Sequence, residues 1–238
     1  MVSIAGSKKL KRQMAPSFWG ITRKGKRFVV TVHPGAHSKH RSIPSAVLLR
    51  DTLGAVSTLR EAKKSIYSGN VEVDGVKRTS LHHGIGLMDV VELGGTGDIY
   101  RMVPSGGAIL KPVKIEAAEK DRKICRVTSK TSISGGRTQI GFHDGRSLIS
   151  DEKVSVGDSC LVQVPGQKIL KVARMEKGAH AVVTRGTNAG STGTISGMQD
   201  GTFTLSRMAT LDIGGREIKI PTDMLLVVGA DGPLIRIQ

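Results

Sequence analysis

Apolar residues return at helical spacing in two short stretches of the first third of the chain. The first stretch predicts a helix of roughly ten residues, opened by Ser42 or Ser45 around Pro44. Its apolar positions are Val47, Leu48, Leu49, Leu53 and Val56. The second helix is expected to start at Thr58 and Glu61, which have the spacing of a capping box. The two helices are therefore expected to form a hairpin.

The helical pattern then gives way to short strand-like runs. Val71 and Val73 alternate with polar residues into Asp74-Gly75, a strong signal for a tight hairpin turn, and a further strand is expected at residues 88–93. From about residue 94 the helical spacing nearly disappears, apart from a possible turn at 116–123. Strand-like runs follow at residues 124–127, 139–142, 159–164, 168–173, 181–184, 194–197, 202–205, 208–213, 217–220 and 224–228.

This succession predicts an α+β protein that is predominantly β. Evenly spaced short strands favour small closed or half-closed barrels, because closure removes exposed strand edges. We expect a basic N-terminal arm over residues 1–41, a helix-hairpin module over 42–94, a central small β-barrel over 95–173 and a second barrel over 174–238.

Positive charge is concentrated at the start of the chain. The first fifty residues contain eleven Lys or Arg and no Asp or Glu, out of a net charge of +16 for the whole protein. Self-repulsion on this scale favours a polyanionic partner, and nucleic acid is the natural one. A solvated tail or an arm for anionic lipid are the alternatives, although apolar residues such as Phe18, Trp19 and Val32 argue against a merely solvating tail. We expect the arm to gain its order from its partner.

The remaining composition narrows the class of partner. An aromatic content of 3% argues against a protein that grips single strands mainly by stacking bases, so folded RNA is favoured. Cys125 and Cys160 have no nearby Cys or His partner and are expected to be reduced interior thiols. We find no signal-peptide pattern and no apolar run long enough to span a membrane, which predicts a soluble cytoplasmic protein.

Two stretches resemble binding motifs at first sight. The glycine-rich segment 186–193 lacks the Lys-Ser/Thr ending of a phosphate-binding P-loop and leads into a strand. Three interpretations of this segment stay open. It forms a hairpin loop, it contacts RNA backbone, or, as the pattern favours least, it binds a nucleotide. His33, His37 and His40 have no neighbouring carboxylate or thiolate, so we expect no metal. We also find no catalytic motif and no close carboxylate pair in an apolar setting, which predicts neither an enzyme nor a cofactor.

The candidate RNA-binding residues are the cations of the arm, those facing away from the apolar stripe of the second helix, and those beside the Asp74-Gly75 turn and the glycine-rich loop. Together with the arm's Trp and His side chains they are Lys8, Lys9, Lys11, Arg12, Trp19, Arg23, Lys24, Lys26, Arg27, His37, Lys39, His40, Arg41, Arg50, Arg60, Lys63, Lys64, Lys77, Arg78, Arg185 and Asn188.

The order of these motifs resembles a known family. The run Lys8-Lys9-Leu10-Lys11-Arg12, followed by Ala15-Pro16, Trp19, Pro34-Gly35 and His37, is similar to the opening of the archaeal and eukaryotic small-subunit ribosomal protein four, the e-type. The helix hairpin with residues 73–79 and 86–90 resembles the small RNA-binding module of bacterial ribosomal protein four, pseudouridine synthases and tyrosyl-tRNA synthetases. Residues 143–146 and 156–158 look like the family's central barrel. Gly178, Thr184, Gly186, Asn188, Gly190 and Gly193 resemble a KOW element of an SH3-like barrel.

This resemblance implies a structural, non-catalytic component of the small ribosomal subunit, with ribosomal RNA and neighbouring ribosomal proteins as partners and without a membrane or small-molecule substrate. The end of the chain lacks the basic tail of eukaryotic members, which favours an archaeal type. Two other interpretations stay open at this point. They are an RNA-modifying enzyme and a transcription or translation factor that carry the same RNA-binding modules.

Overall fold

The computed structural model describes residues 9–106, 108–230 and 232–237. The fold is α+β and mostly β, as the sequence predicts. The helices are α1 (Ser45–Val47), which continues as a π-helical turn (Leu48–Thr52), α2 (Leu59–Tyr67), and the 3-10 helices Arg12–Met14, Ser17–Trp19, Lys39–Arg41, Ala117–Glu119 and Thr222–Met224. The strands are β1 (Leu10–Lys11), β2 (Phe28–Val29), β3 (Ile43–Pro44), β4 (Val71–Val73), β5 (Val76–Lys77), β6 (Gly84–Ile85), β7 (Val90–Leu93), β8 (Asp98–Ser105), β9 (Ala108–Lys114), β10 (Arg122–Ser132), β11 (Thr138–Phe142), β12 (Ser147–Ile149), β13 (Ser159–Gln163), β14 (Lys168–Ala173), β15 (His180–Val183), β16 (Thr192–Gln199), β17 (Met208–Ile213), β18 (Arg216–Pro221) and β19 (Leu225–Gly229).

Three five-stranded antiparallel sheets follow one another along the chain. Their strand orders are β5-β4-β7-β8-β9, β12-β11-β10-β13-β14 and β18-β17-β16-β15-β19, and we call them the first, second and third sheet. The pairs β1-β2 and β3-β6 form two further small sheets. The first sheet extends to Lys114, because β8 pairs with β7 and β9 pairs with β8 up to that residue. The break between the first and second sheets therefore falls after Lys114. The domain boundary expected at residue 94 therefore lies inside one sheet, whereas that at residue 173 lies between two.

The capping box and the tight turn expected from the sequence are both present, whereas the first expected helix of roughly ten residues is a three-residue α-helix continued by a five-residue π-helical turn. Thr58 Oγ1 accepts the Glu61 N–H at 3.2 Å, and the Glu61 carboxylate accepts the Thr58 N–H, so the capping box at the start of α2 is confirmed. Asp74 and Gly75 connect β4 and β5 as a tight turn with positive φ at both residues. Residues 202–205, however, form a loop in place of the expected strand, closed by the Thr202 N–H donating to the Leu205 carbonyl.

An apolar cluster joins the three sheets. Met88 and Val103 of the first sheet's region meet Ile124 of the second sheet and Leu226 of the third, together with Ile235 near the end of the chain. All five side chains are almost fully buried. Because one cluster draws on all three sheets, the sheets are packed against each other in a fixed arrangement.

The arm differs most from expectation, because its described part is folded onto the protein. Leu10, Trp19, Ile21 and Val32 are buried and belong to the same apolar cluster as α2 and the first sheet. Burial of these side chains is worth about 1.5 to 3 kcal/mol each, which outweighs the repulsion between solvent-screened cations. The expectation that the arm takes its order from its partner is wrong for residues 9–41. Lys8 lies outside the described residues.

Candidate nucleic-acid interface

Most of the arm's candidate cations lie exposed on its outer surface. This group comprises Lys9, Lys11, Arg23, Lys24, Lys26, Arg27, His40 and Arg41, and Lys39 is half-buried beside it. The Lys9 ammonium and the Arg27 guanidinium lie 5.9 Å and 5.5 Å from the centre of the Phe28 ring, so both cations are held against this side chain of β2. The arm therefore presents its charge from a fixed support.

Two of the arm's arginines hold main-chain oxygens of the arm itself. Arg12 donates from Nε to the Lys26 carbonyl at 2.8 Å and from Nη1 to the Thr22 carbonyl at 2.9 Å. Arg23 donates from Nη1 to the carbonyls of Gln13 and Ala15, each at 3.0 Å. These bonds cross-connect the two halves of the arm. Arg12 and Arg23 thus shape the surface in addition to charging it.

Trp19 and His37 lie inside the protein, in correction of their assignment to an RNA-binding surface. Trp19 has 0% of its surface exposed, and its indole N–H donates to the Ser42 carbonyl at 2.8 Å. His37 is buried beneath Gly86, where an added Cβ would lie 2.4 Å from the imidazole ring, and its Nε2 lies 3.1 Å from the Asp89 carboxylate. Trp19 anchors the arm, and His37 joins a buried ionic cluster.

The cations of the helix pair lie as the apolar stripe predicts. Ala62 and Ile66 of α2 are buried, while Arg60, Lys63 and Lys64 are exposed. Of the other candidates in this region, Lys77 is exposed, Arg78 is half-buried and Arg50 forms a 2.7 Å ion pair with Asp51. Arg50 is therefore already neutralised in part.

The glycine-rich loop is packed against other parts of the chain. A Cβ on Gly190 would lie 2.8 Å from the Pro104 oxygen, and one on Gly193 would lie 2.2 Å from the Asp212 oxygen. Glycine is needed here for close main-chain approach, which favours the hairpin-loop interpretation. Arg185 pairs with Asp223 at 2.8 Å, and Asn188 is half-buried.

A buried ionic cluster lies at the centre of the protein, where the sequence predicts none. The Lys123 ammonium lies 2.8 Å from Asp74, 2.5 Å from Asp89 and 3.1 Å from Asp144, and all four side chains are buried. Arg146 reaches the same oxygen of Asp74 at 2.7 Å. The sequence spacing does not indicate this cluster, because Asp74, Asp89 and Asp144 are far apart in the chain. The local sequence marks Asp74 only as a turn residue. Lys123, however, lies two residues before Cys125 and four before Val127, so the three share one face of β10, and this pattern could have indicated an inward-facing lysine.

The charges of this cluster stabilise one another, as the pKa values of its members indicate. Burial lowers the pKa of Lys123, but Asp89 and Asp74 outweigh it and hold the pKa well above its usual value. Burial likewise raises the pKa of Asp89, while Lys123 and His37 bring it well below the ordinary range. Burial lowers the pKa of His37, but the Asp89 carboxylate outweighs burial and raises this pKa above its usual value. The positive charges of Lys123 and Arg146 lie among the three carboxylates, and the Asp89 carboxylate favours the protonated form of His37. The charges of the cluster therefore offset one another, which is a structural arrangement.

His143, beside this cluster, gives the protein a predicted dependence on acid. Its Nδ1 accepts the Arg126 N–H at 3.1 Å and its Nε2 donates to the Leu87 carbonyl at 3.3 Å, so the neutral ring is required. Burial and the nearby Lys123 lower the pKa of His143 from 6.5 to about 4. The unfolded chain therefore binds more protons between these values, and stability is lost as the pH falls through them. The expected loss is on the order of 2 kcal/mol, allowing for partial solvent screening.

Urea unfolding of the wild type and His143→Gln at intervals from pH 7 to pH 4.5 measures this effect. Gln keeps one donor and one acceptor but does not titrate, so its free energy of unfolding should fall less steeply with acid than that of the wild type. Other groups titrate equally in both proteins and cancel in the difference. Parallel curves for the two proteins would contradict the role given to His143.

The folded core presents exposed cations on its arm and on α2, while the buried charges at its centre offset one another. This combination is typical of structural proteins that bind polyanions. No helix in the described part of the chain is both long and apolar enough to cross a membrane. Comparison with known proteins identifies the family within this class.

The sequence model of the ribosomal family S4e matches residues 96–169, and that of the RS4NT (NUC023) domain matches residues 5–40. The small ribosomal subunit protein eS4 of Methanothermobacter thermautotrophicus is 36% identical over 238 residues, covering 99% of this chain and 98% of the relative. That of Pyrobaculum neutrophilum is 39% identical over 237 residues, covering 96% and 98%. The crystal structure of the 30S ribosomal protein S4e from Thermoplasma acidophilum has 31% identity and a TM-score of 0.70, over 80% of this chain and 96% of that one.

The chain belongs to the ribosomal S4e family. The resemblance stated from the order of the sequence motifs is confirmed, and so is its archaeal character, since these relatives are archaeal. The relatives carry the names of ribosomal proteins and not of enzymes. Of the three interpretations left open by the sequence, membership of this family favours the ribosomal component.

Proposed function

We propose that this protein is a structural component of the small ribosomal subunit, where it binds and stabilises folded ribosomal RNA in support of translation and catalyses no reaction. The observation that carries the proposal is the row of exposed arm cations fixed on a folded core: Lys11, Lys24, Lys26 and Arg27. No Asp or Glu of the described chain forms an ion pair with any of these four. Their charge is therefore available to phosphates.

The geometry suits recognition of RNA by its backbone and shape. Lysine and arginine side chains on a preformed support contact phosphates in a fixed register, and little conformational entropy is lost on binding. We assign the same role to Arg60, Lys63 and Lys64 on the outer face of α2 and to Lys77 after the Asp74-Gly75 turn. Neighbouring ribosomal proteins are the further partners, and the cytoplasmic ribosome is the place of action. No cofactor, metal, membrane or small-molecule substrate enters the proposal.

The finer organisation belongs to the same proposal. The helix pair with the first strands of the first sheet would act as the RNA-binding helix-hairpin module, supported by its outward-facing cations. The second sheet would form the central barrel, and the third a KOW-type, SH3-like barrel whose glycine-rich loop joins β15 to β16. The tight packing of Gly190 and Gly193 supports a structural role for that loop.

The triple variant Lys11→Ala, Lys24→Ala, Lys26→Ala tests the proposal. Its affinity for small-subunit ribosomal RNA should fall, and the slope of log K against log salt should become shallower by about 0.7 to 0.9 for each phosphate that the variant no longer neutralises. Because the three side chains are exposed, the free energy of unfolding should change by about 0.5 kcal/mol or less. Filter binding across a KCl series and urea unfolding measure the two quantities.

Lys168→Ala, Lys171→Ala, Lys177→Ala is the matched control, because it removes the same charge from exposed positions at and beyond β14. Its salt slope should stay close to that of the wild type. An unchanged slope for the arm variant, or an equal change for both variants, would remove the arm from the interface. Loss of the protein from small subunits in a high-salt wash would favour a transiently bound factor over a stoichiometric component.

A further inference from the structure

A small cavity lies where the arm, the second sheet and the third sheet meet. Its volume is about 70 Å³. The floor is apolar and includes Leu87, Leu225 and Leu226, while Arg41 of the arm, Arg126 of β10 and Arg185 beyond β15 line it as well. Three guanidinium groups from three separate segments of the chain therefore reach one small space.

The charges around this cavity do not balance. Asp223 is the one carboxylate in the cavity lining given by the described residues, against the three arginines. Arg185 donates from Nη2 to the Asp223 carboxylate at 2.8 Å, and Arg126 donates to the Asp223 main-chain oxygen. Arg41 is exposed and has no ion pair within the described chain. Two positive charges of this lining are left without a counterion among the described residues.

The other polar groups of the lining do not supply the missing negative charge. His37 is engaged with Asp89, and His143 is held neutral by its low pKa and its two hydrogen bonds. Burial lowers the pKa of Arg126, Asp223 raises it, and the nearby charges of Arg185 and Arg41 lower it further. The guanidinium groups therefore repel one another in a partly desolvated space, where electrostatic interactions are strong.

We propose that this cavity mouth is a phosphate-binding site, in which Arg41, Arg126 and Arg185 surround one phosphate group over an apolar floor. Guanidinium groups bind phosphate oxygens with paired, charge-assisted hydrogen bonds, and Arg41 is free to close over the anion from the arm. The source of the phosphate is a backbone phosphodiester of the ribosomal RNA, which rests on the proposed function, or free inorganic phosphate. The chemistry of the site is the same for both.

Titration of the full-length protein with inorganic phosphate tests the site directly. At constant ionic strength set with chloride, the Nε–Hε NMR signals of Arg41, Arg126 and Arg185 should shift and saturate together. Arg41→Ala should weaken phosphate binding about tenfold or more, the effect of removing a hydrogen bond to a charged group. Arg137→Ala, which removes an exposed arginine from the turn between β10 and β11, is the matched control and should leave the affinity unchanged.

Absence of saturable shifts, or equal affinity of the wild type and Arg41→Ala, would overturn the site. Shifts produced by a poly-glutamate peptide and not by phosphate would also overturn it, in favour of an acidic protein partner. A ribosomal RNA fragment that displaces phosphate from the three arginines would support the site and assign it to RNA. If the fragment binds elsewhere or not at all while phosphate still saturates the site, the site stands with free phosphate as its ligand, and the proposed function is judged separately.

Discussion

Replacing Lys123 by Met is expected to lower the free energy of unfolding by about 3 to 5 kcal/mol. The substitution removes the ammonium that lies within 3.1 Å of three buried carboxylates, and it leaves those carboxylates with Arg146 as their charged partner and with His37 beside Asp89. Breaking a buried ionic cluster on one side is costly because the remaining charges are deprived of both solvent and partner. Urea or thermal unfolding of the purified variant measures the loss.

Two further variants separate the charge effect from a general loss of packing. Lys120→Met removes the partner of Glu92 in a half-exposed pair at 3.4 Å and should cost less than about 1 kcal/mol. Adding Asp89→Asn to Lys123→Met should recover part of the stability, because one of the unmatched carboxylates becomes neutral. A loss under about 1 kcal/mol for Lys123→Met, or no recovery in the double variant, would contradict the cluster's structural role.

Replacing Trp19 by Ala is expected to destabilise the protein by a similar amount, about 3 to 5 kcal/mol. The fully buried indole belongs to the cluster of α2 and the first sheet, and its 3-10 helix contacts β9 and the π-helical turn. Truncation removes this apolar contact and leaves a cavity. Urea unfolding without RNA measures the effect, and limited proteolysis within residues 20–28 reports release of the arm.

Trp19→Phe serves as the control for this prediction. It keeps most of the buried ring but loses the indole N–H that donates to the Ser42 carbonyl, so a smaller loss of about 1 to 3 kcal/mol is expected. If Trp19→Ala unfolded like the wild type in the absence of RNA, the arm would not be part of the folded core. An arm that is ordered only by its partner, as the charge pattern predicts, would then regain support.

The elements that could be predicted from the sequence depend on residues close together in the chain. Thr58 and Glu61 form a capping box through contacts within one helical turn, and Asp74-Gly75 reverses the chain between two adjacent strands. The interpretation of Cys125 and Cys160 as interior thiols also agrees with the structure, where both are buried and free. The resemblance to the family also followed from the order of such local motifs.

The candidate site could be predicted in part for the same reason. The helical spacing of Ala62 and Ile66 correctly placed Lys63 and Lys64 on the outer face of α2. Nothing in the local spacing of Trp19 or His37 distinguishes a side chain that contacts RNA from one that packs inward. Their burial depends on surfaces supplied by distant segments, such as Ser42 for Trp19 and Asp89 for His37.

By itself, the sequence determined the strongly basic character of the arm, the mostly β composition of the fold and the positions of its turns, because charge, alternation and turn chemistry act over a few residues. The tertiary structure decided that the arm is folded, that three aspartates surround Lys123, and that Arg41, Arg126 and Arg185 meet at one cavity. These groups are far apart in the chain. Their energies depend on distance and desolvation in the folded protein, which residue spacing does not specify.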